Sequence, residues 1–183
     1  MRIIGGQWRG KQILPPPGTQ TRPTADRTRE MIFNVLLHNP AFTPLDFTQK
    51  RVLDVFAGTG ALGLEALSRG AQTVTFIESH PDTLTILRKN LSAVSADRTQ
   101  VMAQDARTLP RATHAFDLVF LDPPYGQDLL APTLTRLFEQ GWLASDAILV
   151  MEMDKTETPA LPAFVAPRLE RTAGRAKVCF AVW

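Results

Sequence analysis

The chain has 183 residues, 44% of them hydrophobic, and a formal net charge of +2, which predicts one domain with a sizeable core. No run approaches the roughly 18 consecutive apolar residues that a membrane-spanning helix needs, and the opening MRIIGGQWRGK lacks the apolar stretch of a signal peptide. A single cysteine, Cys179, excludes an internal disulfide, and His38, His80 and His114 lack ligand spacing, so we expect a cytoplasmic protein without membrane or metal.

The positive charge is concentrated towards the two ends of the chain. Residues 1–30 carry +4 and residues 168–183 carry +3, so the segment between them carries −5. Basic ends on an acidic body indicate an anionic partner that is bound away from the central pocket, although two solvated surfaces would give the same pattern.

The first predicted elements are a basic segment, a spacer and a helix. The run LPPPG at 14–18 predicts a stiff, extended spacer. Apolar residues at helical spacing follow it: Met31, Ile32, Val35 and Leu36. Pro40 and Pro44 end this helix. We expect a basic N-terminal extension over residues 1–20 and the main domain over residues 21–183.

From residue 51 onwards, strand and helix patterns alternate. The predicted strands are RVLDVF, QTVTFIE, TQVMAQD, FDLVFLD and AILVMEM, and helices are predicted at 61–69, from Pro81 and at 130–139. This alternation predicts a doubly wound, mostly parallel α/β sheet. Two strand-like runs flank Gly174, which predicts a C-terminal hairpin and therefore an antiparallel addition to the sheet.

The loop after the first predicted strand is rich in glycine. Residues 58–63, GTGALG, fit the G-x-G-x-x-G pattern of dinucleotide sites, and Glu78 follows 20 residues after Gly58, where such sites have an acid for a ribose. We expect Gly58 and Gly60 to leave room for a ligand at the main chain. The pattern alone is weak, because a tight strand-to-helix turn would also explain it.

Asp54, four residues before Gly58, discriminates between the possible cofactors. A carboxylate at this strand end would repel a pyrophosphate, at a cost on the order of a few kcal/mol for an effective dielectric constant of about 20. A cofactor with an ammonium and a sulfonium would be stabilised by the same carboxylate. We therefore predict S-adenosylmethionine as the cofactor. The alternative role for Asp54 is to cap nearby loop amides.

Two further acids end the second and third predicted strands. We expect Glu78 to accept hydrogen bonds from the ribose hydroxyls of the cofactor, and Asp105 to accept one from the adenine amine. Either acid alone could be a loop cap. Acids at three successive strand ends favour the cofactor interpretation.

The fourth predicted strand ends in Asp122-Pro123-Pro124-Tyr125, a turn suited to amine chemistry. An exocyclic amine on a base is a poor nucleophile, because its lone pair is delocalised into the ring. The Asp122 carboxylate and the Pro123 carbonyl can accept hydrogen bonds from its two N–H groups. These bonds favour a more tetrahedral nitrogen. The prolines fix the chain and remove competing donors, and the Tyr125 ring can stack on an extruded base. The alternative is a rigid strand-to-helix turn.

These motifs together resemble the class I S-adenosylmethionine-dependent methyltransferases that modify exocyclic amines. More narrowly, the chain is similar to the bacterial 16S ribosomal RNA guanine-N2 methyltransferase family (RsmD type). The segments that carry the resemblance are RIIGGQWRGKQI, TRPTADRTREMIFNVL, VLDVFAGTGALGLEALSRGA, FIES and FDLVFLDPPY. MDKTETPALPAFVAP, by contrast, has little recognisable pattern.

The resemblance implies a Rossmann-like fold with a seven-stranded sheet, and two sets of site residues. Cofactor contacts are expected at Asp54, Phe56, Gly58, Thr59, Gly60, Glu78, Asp105 and Ala106. Chemistry is expected at Asp122, Pro123, Pro124 and Tyr125. The implied product is N2-methylguanine in 16S rRNA, with an assembled or partly assembled small ribosomal subunit as the partner and a monomer as the enzyme.

The basic N-terminal segment then has an expected role in RNA binding. We predict that Arg2, Arg9, Lys11 and Arg22 contact RNA phosphates. Trp8 either stacks on RNA or packs against the core.

Three other functions are compatible with parts of this pattern. A DNA or protein-glutamine methyltransferase would use the same turn, but a DNA enzyme normally needs a recognition domain for which this chain has no room. A non-catalytic RNA-binding module would not need Asp122 or the glycine loop. An NAD-dependent oxidoreductase leaves Asp54 unexplained.

Overall fold

The computed structural model describes residues 1–15, 23–42, 45–94 and 97–183, with the side chains of 23–25 outside the description. Within these ranges, seven strands form one sheet in the order β3-β2-β1-β4-β5-β7-β6. Strands β1 to β5 pair in parallel, whereas β7 pairs antiparallel with both β5 and β6. The predicted parallel sheet with a C-terminal antiparallel hairpin is therefore confirmed.

The helices and strands follow the predicted order. They are α1 (Pro23–His38), β1 (Arg51–Val55), α2 (Ala61–Ser68), β2 (Thr73–Glu78), α3 (Pro81–Ala93), β3 (Thr99–Ala103), β4 (Phe116–Leu121), α4 (Leu130–Glu139), β5 (Leu143–Asp154), β6 (Ala166–Ala173) and β7 (Ala176–Val182). Short 3-10 turns lie at Pro40–Phe42, Phe47–Gln49 and Ala106–Thr108. No helix in these described ranges is long and apolar enough to cross a membrane.

Strand β5 begins four residues before the predicted start at Ala147. Leu143 pairs with Phe116 of β4, and the register then shifts before Leu118 pairs with Ile148. Asp146, at φ +60°, lies in this irregular stretch. The exposed Ser145 and Asp146 interrupt the apolar run, so the sequence pattern concealed the first part of the strand.

The sheet separates two hydrophobic cores. Val52 of β1 lies in the core beneath α1, α2 and α3, whereas Leu53 and Val55 lie in the core beneath α4. This alternation follows from the two-residue period of a strand. It places Asp54 on the α2 side of the sheet, where its Oδ2 accepts a hydrogen bond from the Gly63 amide.

The described N-terminal segment, residues 1–15, packs into the first core. Arg2 and Gln12 form an antiparallel bridge, and Ile3 and Ile13 are buried. The buried Glu65 of α2 accepts hydrogen bonds from the amides of Ile4 and Gly5, both at 2.7 Å. The division into an extension at 1–20 and a domain at 21–183 stays a prediction, and most of the LPPPG spacer lies outside the described residues.

Asn90 of α3 joins this segment to the glycine loop. Its Oδ1 accepts from the Leu14 amide at 2.7 Å, and its Nδ2 donates to the Leu14 carbonyl at 3.1 Å and the Thr59 carbonyl at 2.9 Å. Asn90 is 1% exposed, and its buried side-chain amide forms all three of these hydrogen bonds. The end of the N-terminal segment is therefore fixed beside the loop that follows β1.

Candidate active site

The predicted site residues converge at the carboxyl edge of the parallel strands. β1 lies between β2 and β4, so the glycine loop after β1 is flanked by Glu78 at the end of β2 and by Asp122 after β4. Open α/β sheets bind their ligands at this edge, where the crossover connections leave in opposite directions.

The glycine loop holds three residues in the left-handed region. These are Phe56 (φ +62°), Gly58 (φ +57°) and Gly60 (φ +82°). A Cβ atom at Gly58 would meet only the Phe56 carbonyl at 3.9 Å, so this part of the main chain is open to a ligand. A Cβ at Gly60 would lie 2.5 Å from Cδ1 of Leu87, so the missing side chain makes room for α3. A contact between the Gly60 main chain and the cofactor stays a prediction.

Asp54 is a buried carboxylate at 2% exposure, with the Gly63 amide 2.8 Å from its Oδ2. Burial raises the pKa of Asp54 to about 8, and Glu78 adds to this rise, whereas the Gly63 hydrogen bond opposes it. Asp54 thus does cap a helix amide. Among the residues that the structure describes, no basic side chain forms an ion pair with it.

Glu78 binds backbone amides of the glycine loop and of its own loop, and Asp105 binds an amide of its own loop. Glu78 accepts from Gly58 at 2.9 Å through Oε2, and from Ser79 and His80 at 2.8 Å through Oε1. Asp105 accepts from the Arg107 amide and pairs with its guanidinium, which lowers the pKa of Asp105. Their contacts with ribose and adenine stay predictions, as do those of Thr59 and Ala106, which are buried.

The Asp122-Pro123-Pro124-Tyr125 turn borders the space between Asp122, Tyr125 and Glu152 of β5, which we call the recess. Pro123 is buried, whereas Asp122 is exposed and Tyr125 is 39% exposed. No group in the described part of the chain donates a hydrogen bond to the Asp122 carboxylate. Desolvation raises the pKa of Asp122 well above its ordinary value, and the charges of Glu152 and Asp54 raise it further.

Glu152 of β5 is a site residue that the sequence analysis missed. Leu121 pairs with Met151, so Asp122 and Glu152 are the next residues along two neighbouring parallel strands. The Tyr125 hydroxyl donates to Oε1 of Glu152 at 3.0 Å. Burial raises the pKa of Glu152, and the tyrosine hydrogen bond opposes this rise. The one signal in the sequence is that Glu152 is the only charged residue in AILVMEM.

The segment after β5, which showed little pattern, lines a cavity of about 420 Å³ beside the turn. Glu157 accepts a hydrogen bond from the Gly126 amide at 2.5 Å, which attaches this segment to the turn. The guanidinium of Arg175 lies 5.9 Å from the centre of the Tyr125 ring and pairs with Asp154. The C-terminal hairpin therefore contributes a cation to the rim of the recess.

The predicted RNA-contacting residues lie on the N-terminal segment. Arg2, Arg9 and Lys11 are exposed, and Trp8 is half-buried and packs against the first core. Arg22 lies outside the described residues. The described part of the chain contains no group of three or more His, Cys, Asp or Glu residues that could hold a metal ion.

The strand order, the glycine loop after β1 and the D-P-P-Y turn after β4 define a methyltransferase of the Rossmann-like class. A family profile described as conserved hypothetical protein 95 matches residues 1–182. The chain belongs to this family.

Relatives and solved structures agree with this assignment. The chain is 39% identical over 177 residues to the ribosomal RNA small subunit methyltransferase D of Escherichia coli, covering 96% of this chain and 86% of that protein. It is 36% identical over 179 residues to the protein of the same name from Haemophilus influenzae, covering 95% and 89%. The structure of the Escherichia coli protein YhhF matches with a TM-score of 0.84 and 37% identity, over 100% of this chain and 97% of that one.

Proposed function

We propose that this protein transfers a methyl group from S-adenosylmethionine to the exocyclic N2 amine of one guanine in 16S rRNA of the small ribosomal subunit. The observation that carries the proposal is the accessible Asp122 carboxylate, which has no described donor and lies one strand away from the glycine loop. The relatives from Escherichia coli and Haemophilus influenzae, named for small-subunit ribosomal RNA, support this substrate.

The chemistry of the glycine-loop region suits a cationic cofactor. Burial of an unpaired carboxylate is costly, and a bound cation beside Asp54 would offset that cost. S-adenosylmethionine carries an ammonium and a sulfonium, and when bound it supplies the activated methyl group. Asp54, the open main chain at Gly58, Glu78 and Asp105 are the groups that would hold it.

The D-P-P-Y turn prepares the amine. Asp122 and the Pro123 carbonyl accept the two N–H groups of the target amine, which shifts its lone pair out of conjugation with the ring. The Tyr125 ring stacks on the base, and the hydrogen bond to Glu152 fixes the orientation of that ring. The raised pKa of Asp122 makes it a stronger base than an ordinary carboxylate, so it can accept the proton that the methylated nitrogen loses.

The first test is to identify the product. Purified protein, labelled S-adenosylmethionine and small subunits that lack the modification are incubated together, and the methylated nucleotide is mapped and analysed by mass spectrometry. We expect label on N2 of a single guanine. Label on another atom, or on DNA or protein alone, would contradict the proposal.

Asp122→Ala tests the chemistry. Loss of the acceptor should lower the rate of methyl transfer by about 100-fold or more, while the affinity for S-adenosylmethionine changes little. Asp117→Ala is the matched control, because Asp117 lies at the other end of β4 and binds the Arg51 amide. Retained turnover in the Asp122 variant would show that the site is elsewhere.

A further inference from the structure

Glu152 lies in the reaction recess, and methyl transfer to an amine does not by itself require it. Its Oε1 receives the Tyr125 hydroxyl at 3.0 Å. For Oε2, the structure shows no donor among the described residues. Glu152 and Asp122 therefore present two carboxylates at neighbouring strand ends, and neither has a cationic partner in the described part of the chain.

A pair of carboxylates selects for a base that presents two adjacent donors. Guanine presents N1–H and the N2 amine side by side on its Watson–Crick edge, whereas adenine and cytosine present a ring nitrogen lone pair beside their amine. A lone pair directed at an ionised carboxylate is repelled and leaves that carboxylate without a hydrogen-bond partner, which is costly for the half-buried Glu152.

We propose that Glu152 determines specificity for guanine by accepting N1–H through Oε2, while Asp122 accepts from the N2 amine. Neighbouring strands lie about 4.8 Å apart, so a flat base across their ends can meet one carboxylate with each donor. The Tyr125 hydroxyl holds Oε1 and so directs the other oxygen to the base. This proposal rests on the proposed function, because it assigns a residue to read the same target base.

The test compares two target bases in otherwise identical substrates. Small subunits are reconstituted with RNA that carries either guanine or 2-aminopurine at the mapped position. 2-Aminopurine keeps the exocyclic 2-amine but has a lone pair at N1. The wild-type protein should methylate guanine at least about 100-fold more efficiently, measured as kcat/KM.

Glu152→Gln should then reverse part of this preference. The glutamine carbonyl can still accept from Tyr125, while its amide can donate to N1 of 2-aminopurine. We expect the ratio of guanine to 2-aminopurine efficiency to fall by about 100-fold or more. Because each ratio is measured within one protein sample, partial misfolding of a variant does not change it.

Tyr125→Phe separates base reading from simple orientation of the ring. It removes the hydroxyl that Glu152 binds and leaves the Glu152 carboxylate in place. This variant should slow methylation of both bases and weaken the preference for guanine less than Glu152→Gln does, because the carboxylate remains but is no longer held by the hydroxyl. An unchanged ratio in Glu152→Gln, or equal methylation of both bases by wild-type protein, would overturn the inference. Failure of the proposed function would look different, because no guanine would then be methylated at N2.

Discussion

Asp54 illustrates how a single buried acid couples stability to ligand binding. Its pKa of about 8 lies far above the value of about 3.9 for an unfolded aspartate. Between these two values the folded protein binds more protons than the unfolded chain. The contribution of Asp54 to the free energy of unfolding of the cofactor-free protein therefore decreases as the pH rises from about 4 to about 8.

Asp54→Asn tests this coupling. Asparagine can still accept the Gly63 amide but does not titrate, so we expect the variant to be about 1–3 kcal/mol more stable than wild type at pH 8.5. The difference should shrink towards pH 4, and S-adenosylmethionine affinity should be lost. Denaturant unfolding across this pH range, with calorimetry of cofactor binding, provides the measurement. A stability difference that does not vary with pH would show that Asp54 does not titrate in this range.

At the residue scale, the sequence located most of the acids of the site but not their partners. Asp54, Glu78, Asp105 and Asp122 end predicted strands, so their shared edge followed from the parallel topology. The sequence did not predict the hydrogen-bond donors to these acids, because amides such as that of Gly63 reach them only once the loops have folded. Glu152 was missed because a residue inside an apolar run is expected to face the core.

At the scale of elements, the N-terminal segment is attached to the end of α2 by close contacts. The Gln7 amide donates to the Ser68 carbonyl at 2.8 Å, and the Ser68 hydroxyl donates to the Gly5 carbonyl at 2.6 Å. Periodicity predicted the helices and strands, including α4 at both ends. It did not predict this attachment, because Ile3 and Ile13 are too few and too far apart to form a pattern.

Two glycines of this segment form a matched pair for testing the attachment. Gly6 and Gly10 have φ values of +74° and +85°, so alanine is strained at either position. A Cβ at Gly6 would lie 1.9 Å from the Ser68 carbonyl oxygen, whereas one at Gly10 would meet nothing within 4 Å.

Gly6→Ala should therefore cost more stability than Gly10→Ala, by about 1–3 kcal/mol, because only the former forces the segment away from α2. Denaturant unfolding of both variants measures the difference. Equal costs would mean that the segment is not seated on α2 in solution.

At the scale of the whole molecule, charge is distributed unevenly about the sheet. Arg9 and Lys11 are exposed on the N-terminal segment, whose end is fixed beside the glycine loop through Asn90. Arg51 begins β1 and Arg98 precedes β3, so these two arginines are also exposed but lie on the sheet and not on the N-terminal segment. The two pairs carry the same charge in different places.

This arrangement predicts a position-dependent effect of salt on RNA binding. If Arg9 and Lys11 each neutralise one phosphate, replacing both with alanine should make the log–log salt slope of the binding constant less steep by about 1.4. Replacing Arg51 and Arg98 should change the slope little. Equilibrium RNA binding at a series of salt concentrations measures both. Similar changes for the two pairs would indicate a general charge effect and remove the N-terminal segment from the interface.

The position of β7 has a consequence for how the nascent chain matures. β7 follows β6 in the sequence but lies between β5 and β6, and it pairs with both. While the ribosome is still translating residues 176–182, the outer side of β5 has no neighbour and β6 has nothing to pair with. β7 can join the two groups of strands fully only after Val182 has been made, so the unpaired backbone edge of β5 stays open to chaperones until translation has passed this point.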